Sequence, residues 1–312
     1  MVMDVRKTVL LAKAETTYDT DSSPSSTSNA ILAMSVEVKE NSGVIARDAQ
    51  WKFLGQLPSL LGEQWAEVSF KVPIIGSGTA GTAPRVGCLL QACGHLETVA
   101  GGVSVTYTPV SSGHGSVTLY IYKDGRLHIL TGCRGSGKKV FEAGKALYME
   151  FNMMGRYAAP TVVALPTTVT YESTVKVPPV CKSTAFTYNS KTSLVVGSLN
   201  LDLGVNVVKR VSLNDANGII GFEITDRSPK FTFDPEAQFQ TSYAFRTDWL
   251  TTQRAISIVA TRAAGNIVTL NIPTANITKI EYGERDGIQI EKIEGECSDS
   301  TTGDDGYNIV FT

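Results

Sequence analysis

Apolar and polar residues alternate through much of this chain. Val103–Tyr107 and Ser116–Tyr122 place an apolar side chain at every second position, the period of a strand with one buried face. The second run passes through Lys123-Asp124-Gly125 into Arg126–Leu130. An Asp-Gly pair between two alternating runs predicts a tight hairpin, because both turn residues can adopt positive φ. Further hairpins are predicted at Asn217-Gly218, Gly265-Asn266 and Asp286-Gly287, another strand over Leu147–Phe151, and a last strand within Gly306–Thr312.

Helical periodicity is rare. Pro84 leads into Val86, Leu89, Leu90 and Cys93, spaced i, i+3, i+4, i+7, and Gly94 follows, so a short helix is predicted near 84–93. Asp234-Pro235-Glu236 reads as a cap with proline behind it, predicting a second helix through Phe239, Tyr243 and Trp249-Leu250. Pro160, Pro166, Pro178 and Pro179 make Ala158–Thr184 an extended connection. Thr16–Asn29 (TTYDTDSSPSSTSN) is too polar to fold alone and reads as an arm ordered only where a neighbour covers it.

The two sides of the proline-rich stretch share an order of events: strands, a helix, paired strands, a closing strand. The expected fold is mainly β, with tandem β-sandwich or barrel units that each carry one short α-helix. The similarity of order suggests an internal duplication. The expected boundaries are 1–165, a connection over 166–184, and 185–312.

Composition narrows the class. Of 312 residues 42% are hydrophobic and 19% charged, which excludes a disordered chain. No window holds eighteen consecutive apolar residues, and the opening MVMDVRKTVLLAKAE has no signal-peptide pattern, so synthesis and retention in the cytoplasm are expected. The net charge of −2 gives no footprint for gripping DNA. Acid concentrates near the end, where Glu281, Glu284, Asp286, Glu291 and Glu294 stand among few bases. Such a cluster is ordinarily a solvated face; its functional reading is a surface that repels a polyanion.

Candidate chemistry fails on context. Gly132-Cys-Arg-Gly-Ser-Gly-Lys138-Lys139 fits the first part of a phosphate-binding loop, but Lys139 stands where a Ser/Thr must ligate magnesium. No strand–loop–helix unit surrounds it, so a glycine-rich hairpin turn is expected. Cys88, Cys93 and His95 lack a second ligand pair for a metal, and the five cysteines read as free buried thiols. His95, His114 and His128 read as solvent or turn histidines, and no G-x-S-x-G elbow marks a nucleophile. No catalytic residue, cofactor site or metal site is assigned.

The order of segments carries a resemblance. Val9–Asp21 (VLLAKAETTYDTD), then Pro24 and Asn29-Ala30-Ile31-Leu32, resembles the start of the major tail tube proteins of long non-contractile-tailed bacteriophages. Gly76–Pro84 (GSGTAGTAP) running into Leu89–Gly94, Val105–Pro109, the Asp124-Gly125 hairpin and Gly132–Gly135 extend it. Leu201–Gly204 and Ile224–Pro229 carry it across nearly the whole chain. The resemblance implies a virion structural protein whose copies form rings stacked into a tube for genome delivery. It implies a tail-tip initiator, a tape-measure protein and a tail terminator as partners, and DNA that transits without specific binding. A duplicated chain would close with three copies, an unduplicated one with six. Thr16–Asn29, with Tyr18, Pro24 and Asn29, is the expected assembly arm, and the acidic residues named above are expected to face the lumen or the ring-to-ring surface. The competing readings are a host-surface or carbohydrate-binding β-sandwich, which would use Trp51, Trp65 or Trp249, and a nucleotide hydrolase resting on Lys138.

Overall fold

The computed structural model describes residues 4, 6–172, 177–239, 243, 245–249 and 253–312. Strands take 55% of the chain and helices 3%, so the molecule is mainly β. The first half runs β1 (Thr8–Ala14), β2 (Ala30–Ile31), β3 (Met34–Ile45), β4 (Leu60–Pro73), α1 (Gly87–Ala92), β5 (His95–Ala100), β6 (Ser104–Pro109), β7 (Val117–Lys123), β8 (Arg126–Glu142) and β9 (Tyr148–Arg156). A short β10 (Thr161–Val162) lies in the proline-rich connection. The second half runs β11 (Ala185–Tyr188), β12 (Val196–Asp202), β13 (Val205–Val211), β14 (Ile219–Arg227), β15 (Lys230–Pro235), α2 (Phe245–Asp248), β16 (Arg254–Ala263), β17 (Asn266–Arg285), β18 (Ile288–Cys297) and β19 (Asn308–Phe311).

Two long strands each serve two sheets. The first part of β8 pairs with β7, which continues to β1 and β2; its second part pairs with β9 on one side and β12 on the other. Likewise the first part of β17 lies between β16 and β19, and its second part pairs with β18. The result is a continuous antiparallel sheet ordered β3-β4-β9-β8-β12-β15-β18-β17. Four of its strands come from each half. It does not close into a barrel.

One face of that sheet is core. Phe141, Leu199, Phe233 and Ile293 are successive register partners on four strands, and all are buried. Each such side chain contributes roughly 1.5–3 kcal/mol by burial, and the row crosses from one half to the other without a break. Tyr188 and Phe245 pack against Phe233 and each other, and Tyr243 packs against both of them, which places α2 over this face.

The tight turns obey their local chemistry. Asp124 and Gly125 both have positive φ between the paired Lys123 and Arg126, and Asp286-Gly287 repeats this between Arg285 and Ile288. At Gly265 the turn falls one residue earlier than predicted, since Asn266 already pairs with Ala263. Asn217-Gly218 ends a longer connection over residues 212–218.

Three expectations are corrected. The glycine run 132–139 is not a turn but the middle of β8. A Cβ on Gly135 would lie 2.2 Å from the Asn152 carbonyl oxygen, and one on Gly137 2.6 Å from the Met149 methyl. Glycine serves close approach to β9, and the strand runs on to Glu142, so no helix N-terminus stands behind a phosphate site. The second helix does not begin at Asp234-Pro235, which ends β15. Phe231, Phe233 and Pro235 alternate inward, and the Asp234 carboxylate accepts the Ser198 N–H and pairs with Arg285 at 3.1 Å instead of capping. Residues 240–242, 244 and 250–252 of the predicted helix lie outside the described residues. Finally, His95 is no solvent or turn residue. Its Nδ1–H donates to the Leu90 carbonyl at 2.9 Å and its Nε2 accepts from the Tyr307 hydroxyl at 2.9 Å, while burial lowers its pKa to about 4 and keeps it neutral.

Candidate functional site: an open-edged sheet

The second face of the eight-stranded sheet is polar. Lys71, Glu150, Lys138, Asp202, Lys230 and Glu296 are successive register partners on β4, β9, β8, β12, β15 and β18. The signs alternate at every step across both halves. Opposite charges directly across a sheet are favourable, each worth a few tenths of a kcal/mol to about 1 kcal/mol, and Lys71 and Glu150 meet at 3.2 Å. Depressions of about 160 Å3 on this face are lined by polar residues such as Lys39, Glu67 and Asn152, or Lys71, Glu142 and Glu150. Among the described residues no group of three or more His, Cys, Asp or Glu is placed to hold a metal ion.

Both ends of the sheet are open. Among the described residues nothing pairs with the outer side of β3, nor with β17 beyond Ala275. Such edges are templates for another chain. Apolar side chains gather near one of them: Val44, Ile45, Leu60 and Leu61 at the end of the β3–β4 hairpin, and Trp51, Phe53 and Leu54 in its connecting loop, are all exposed.

The predicted acidic residues do not form one patch. Glu281 and Glu294 lie with Lys279 and Lys292 on the polar face, with Lys279 2.9 Å from Glu281. Glu284 and Glu291 alternate to the other side. Glu291 is buried and paired with Arg246, whose guanidinium also stacks 4.6 Å from the Tyr282 ring. Asp286 is spent on the turn. The charge row was missed because each member is an unremarkable polar position; only the strand register assembles it.

Residues 16–29 fold onto their own chain rather than awaiting a neighbour. The Tyr18 hydroxyl accepts the Phe222 N–H at 2.6 Å, and its ring stacks 4.7 Å from the Arg134 guanidinium. Asp19 pairs with Arg156 at 2.6 Å and accepts from the Thr131 hydroxyl. Pro24 is buried, and the Asn29 side chain accepts the Ser25 N–H. The segment needs no core of its own because the polar groups of β7, β8, β9 and β14 supply its partners. Of the tryptophans, Trp51 and Trp249 are exposed and Trp65 lies under Lys209, 3.6 Å from its ring.

A mainly β chain with a polar, charge-alternating wall and two unpaired sheet edges has edges to which strands of another chain can add. The chain matches the phage tail tube protein family over residues 6–297 and belongs to it. It is therefore a structural component of a virion tail, made in the host cell and assembled with its own copies and other tail proteins into a tube. No curated protein matches the chain.

Proposed function

We propose that three copies close into a ring through the two open edges, and that rings stack into the conduit for DNA in a long non-contractile tail. The observation that carries this is the eight-stranded sheet with four strands from each half. Because all neighbours are antiparallel and the number is even, β17 of one copy meets β3 of the next in antiparallel sense, as β8 meets β12 within the chain.

The reading of 1–165 and 185–312 as duplicated units, joined through 166–184, is supported by matched connectivity. In both halves the four strands occur in space as first, second, fourth, third. In both, the third is a long strand shared with a second sheet, and a helix follows the second. Size favours three copies. With strands about 4.8 Å apart and tilted about 40°, sixteen strands close at a backbone diameter of about 32 Å and twenty-four at about 48 Å. Side chains take about 5 Å from each wall, so two copies leave only about the width of a duplex and three leave room for its water.

In that ring the alternating row lines the lumen. Lys138 and Lys230 each stand between two carboxylates and Lys71 stands beside Glu150, so a passing phosphate meets no continuous basic track that would hold it. The segment with Tyr18, Pro24 and Asn29 acts in assembly as a strap, holding the two halves of one copy in the relation the ring requires. Of the acidic residues, Glu281 and Glu294 join the lumen wall. A tail-tip initiator, a tape-measure protein and a terminator set where the stack begins, how long it grows and where it ends.

The test is negative-stain electron microscopy of concentrated protein with light-scattering mass. Hollow rings of three copies are expected. Rings of six would end the three-copy reading, and a persistent monomer with a ligand-binding groove would favour a binding protein instead.

A further inference from the structure

We propose that the β3–β4 hairpin of one copy, residues 41–63, lies across the second half of the neighbouring copy in the same ring. There it would cover the start of the edge part of β17, near Thr274–Asn276, and the chain that leaves β18 at Glu296–Ser300. This rests on the ring proposed above and names the contact that locks it laterally.

The argument is an internal precedent. After β12, the first of the second half's four sheet strands, the chain makes the hairpin β13–β14, which leans back over the first half. There the Val205 N–H donates to the Ser136 hydroxyl, Arg134 donates to the Phe222 carbonyl at 2.9 Å and pairs with Glu223, and Arg156 pairs with Asp215 at 2.8 Å. The Asn217 carbonyl accepts the Gln64 N–H at 3.0 Å, and Lys209 pairs with Glu63 while stacking on Trp65. The footprint is the start of the sheet part of β8, the end of β9 and Glu63–Trp65 of β4.

The first half has a hairpin at the same point of its own order, after β3. Within one copy no strand among the described residues stands beyond β3 to receive it, and it is here that Val44, Ile45, Leu60, Leu61, Phe53 and Leu54 are exposed. Once β17 of a neighbour pairs with β3, the equivalent footprint is the start of the sheet part of β17 and the end of β18. Charges agree. The loop 46–59 carries Arg47 and Lys52 against Asp48, and the footprint offers Glu296 and Asp299, the latter 3.6 Å from Arg227. The precedent is likewise held by pairs of opposite sign.

The test places a photo-cross-linking benzoylphenylalanine at Phe53 in the full chain, isolates single rings, and maps cross-linked peptides by mass spectrometry. Cross-links to another copy at 272–276 or 294–305 are expected. In parallel, Leu54→Asp with Leu61→Asp should lower ring yield at least tenfold while circular dichroism and the unfolding midpoint of the monomer stay near those of the unaltered protein. Cross-links confined to the same chain, to another copy's first half, or to stacked tubes but not single rings would overturn the proposal while leaving the ring intact. Failure of the unaltered protein to form rings under any condition would instead end both readings, and microscopy of the same sample separates the two cases.

Discussion

Lys138 and Lys139 are neighbours in sequence and face opposite sides of the sheet. Lys138 stands exposed across from Asp202, whereas Lys139 stands across from Leu201 and is 1% exposed. Its Nζ has no hydrogen-bond partner and lies 4.9 Å from the Phe141 ring. Burial lowers its pKa from 10.5 to about 7. An ammonium without a partner here is a cost to folding.

The sign of its pH dependence follows. Between about pH 7 and 10.5 the unfolded chain holds the proton that the folded chain releases, so this group makes stability rise with pH through that window. Below pH 7 both states are protonated and the penalty is full and constant. Lys139→Met is therefore expected to stabilise the protein by roughly 2–4 kcal/mol at pH 6.5, with most of the gain gone near pH 10. Urea unfolding at the two pH values checks this; an equal gain at both would refute the account.

The strap predicts a different loss. Tyr18→Phe removes the hydroxyl that holds Phe222 and leaves a backbone N–H of β14 without its 2.6 Å partner. A cost of roughly 1–3 kcal/mol is expected, since a part-buried donor loses its acceptor. Deleting residues 16–29 should cost far more, because Asp19, Tyr18 and Ser22 bridge several strands at once. Thermal unfolding of both variants against the unaltered protein measures it, and a deletion with an unchanged midpoint would show the strap to be passive.

These particulars show which parts of the fold are legible in sequence. Asp124-Gly125 and Asp286-Gly287 are readable because a tight turn is decided by the φ of its own residues. Gly135 and Gly137 mislead because the need for glycine there comes from Asn152, Met149 and Met153 on another strand. Asp234-Pro235 imitates a helix start, yet the alternation of Phe231 and Phe233 toward a core shared with Leu199 and Ile293 decides for strand. The alternating charge row and the open edges depend on register between strands distant in sequence. No local pattern encodes that.

Gly135 offers a sharp check on the packing argument. Gly135→Val sets a branched side chain against the Asn152 carbonyl, where even a Cβ would come within 2.2 Å. Forced separation of β8 and β9 should cost about 3 kcal/mol or more. Gly101→Ala, at a site with open space and no positive φ, should be near neutral. Differential scanning calorimetry of the pair tests whether glycine serves approach or turning, since a turn glycine at 135 would tolerate the larger side chain in solvent.

The last prediction concerns the charge row. Glu150, Asp202 and Glu296 are each exposed and each separate two lysines or end the row. Replacing all three by lysine turns the alternating row Lys71-Glu150-Lys138-Asp202-Lys230-Glu296 into six like charges. Each like pair directly across the sheet is unfavourable by a few tenths of a kcal/mol to about 1 kcal/mol, so a less stable monomer is expected first. If rings still form, their lumen presents a basic stripe to a duplex, and DNA that leaves unaltered rings freely should be retained. Six or more phosphate contacts imply an affinity that drops about a thousandfold or more between roughly 50 and 200 mM salt. Retention measured by co-sedimentation across that range tests where the face points. Retention that is strong and salt-sensitive places the row on the lumen, whereas rings of the variant that release DNA as the unaltered rings do would place it elsewhere and remove the alternating wall from the account of transit.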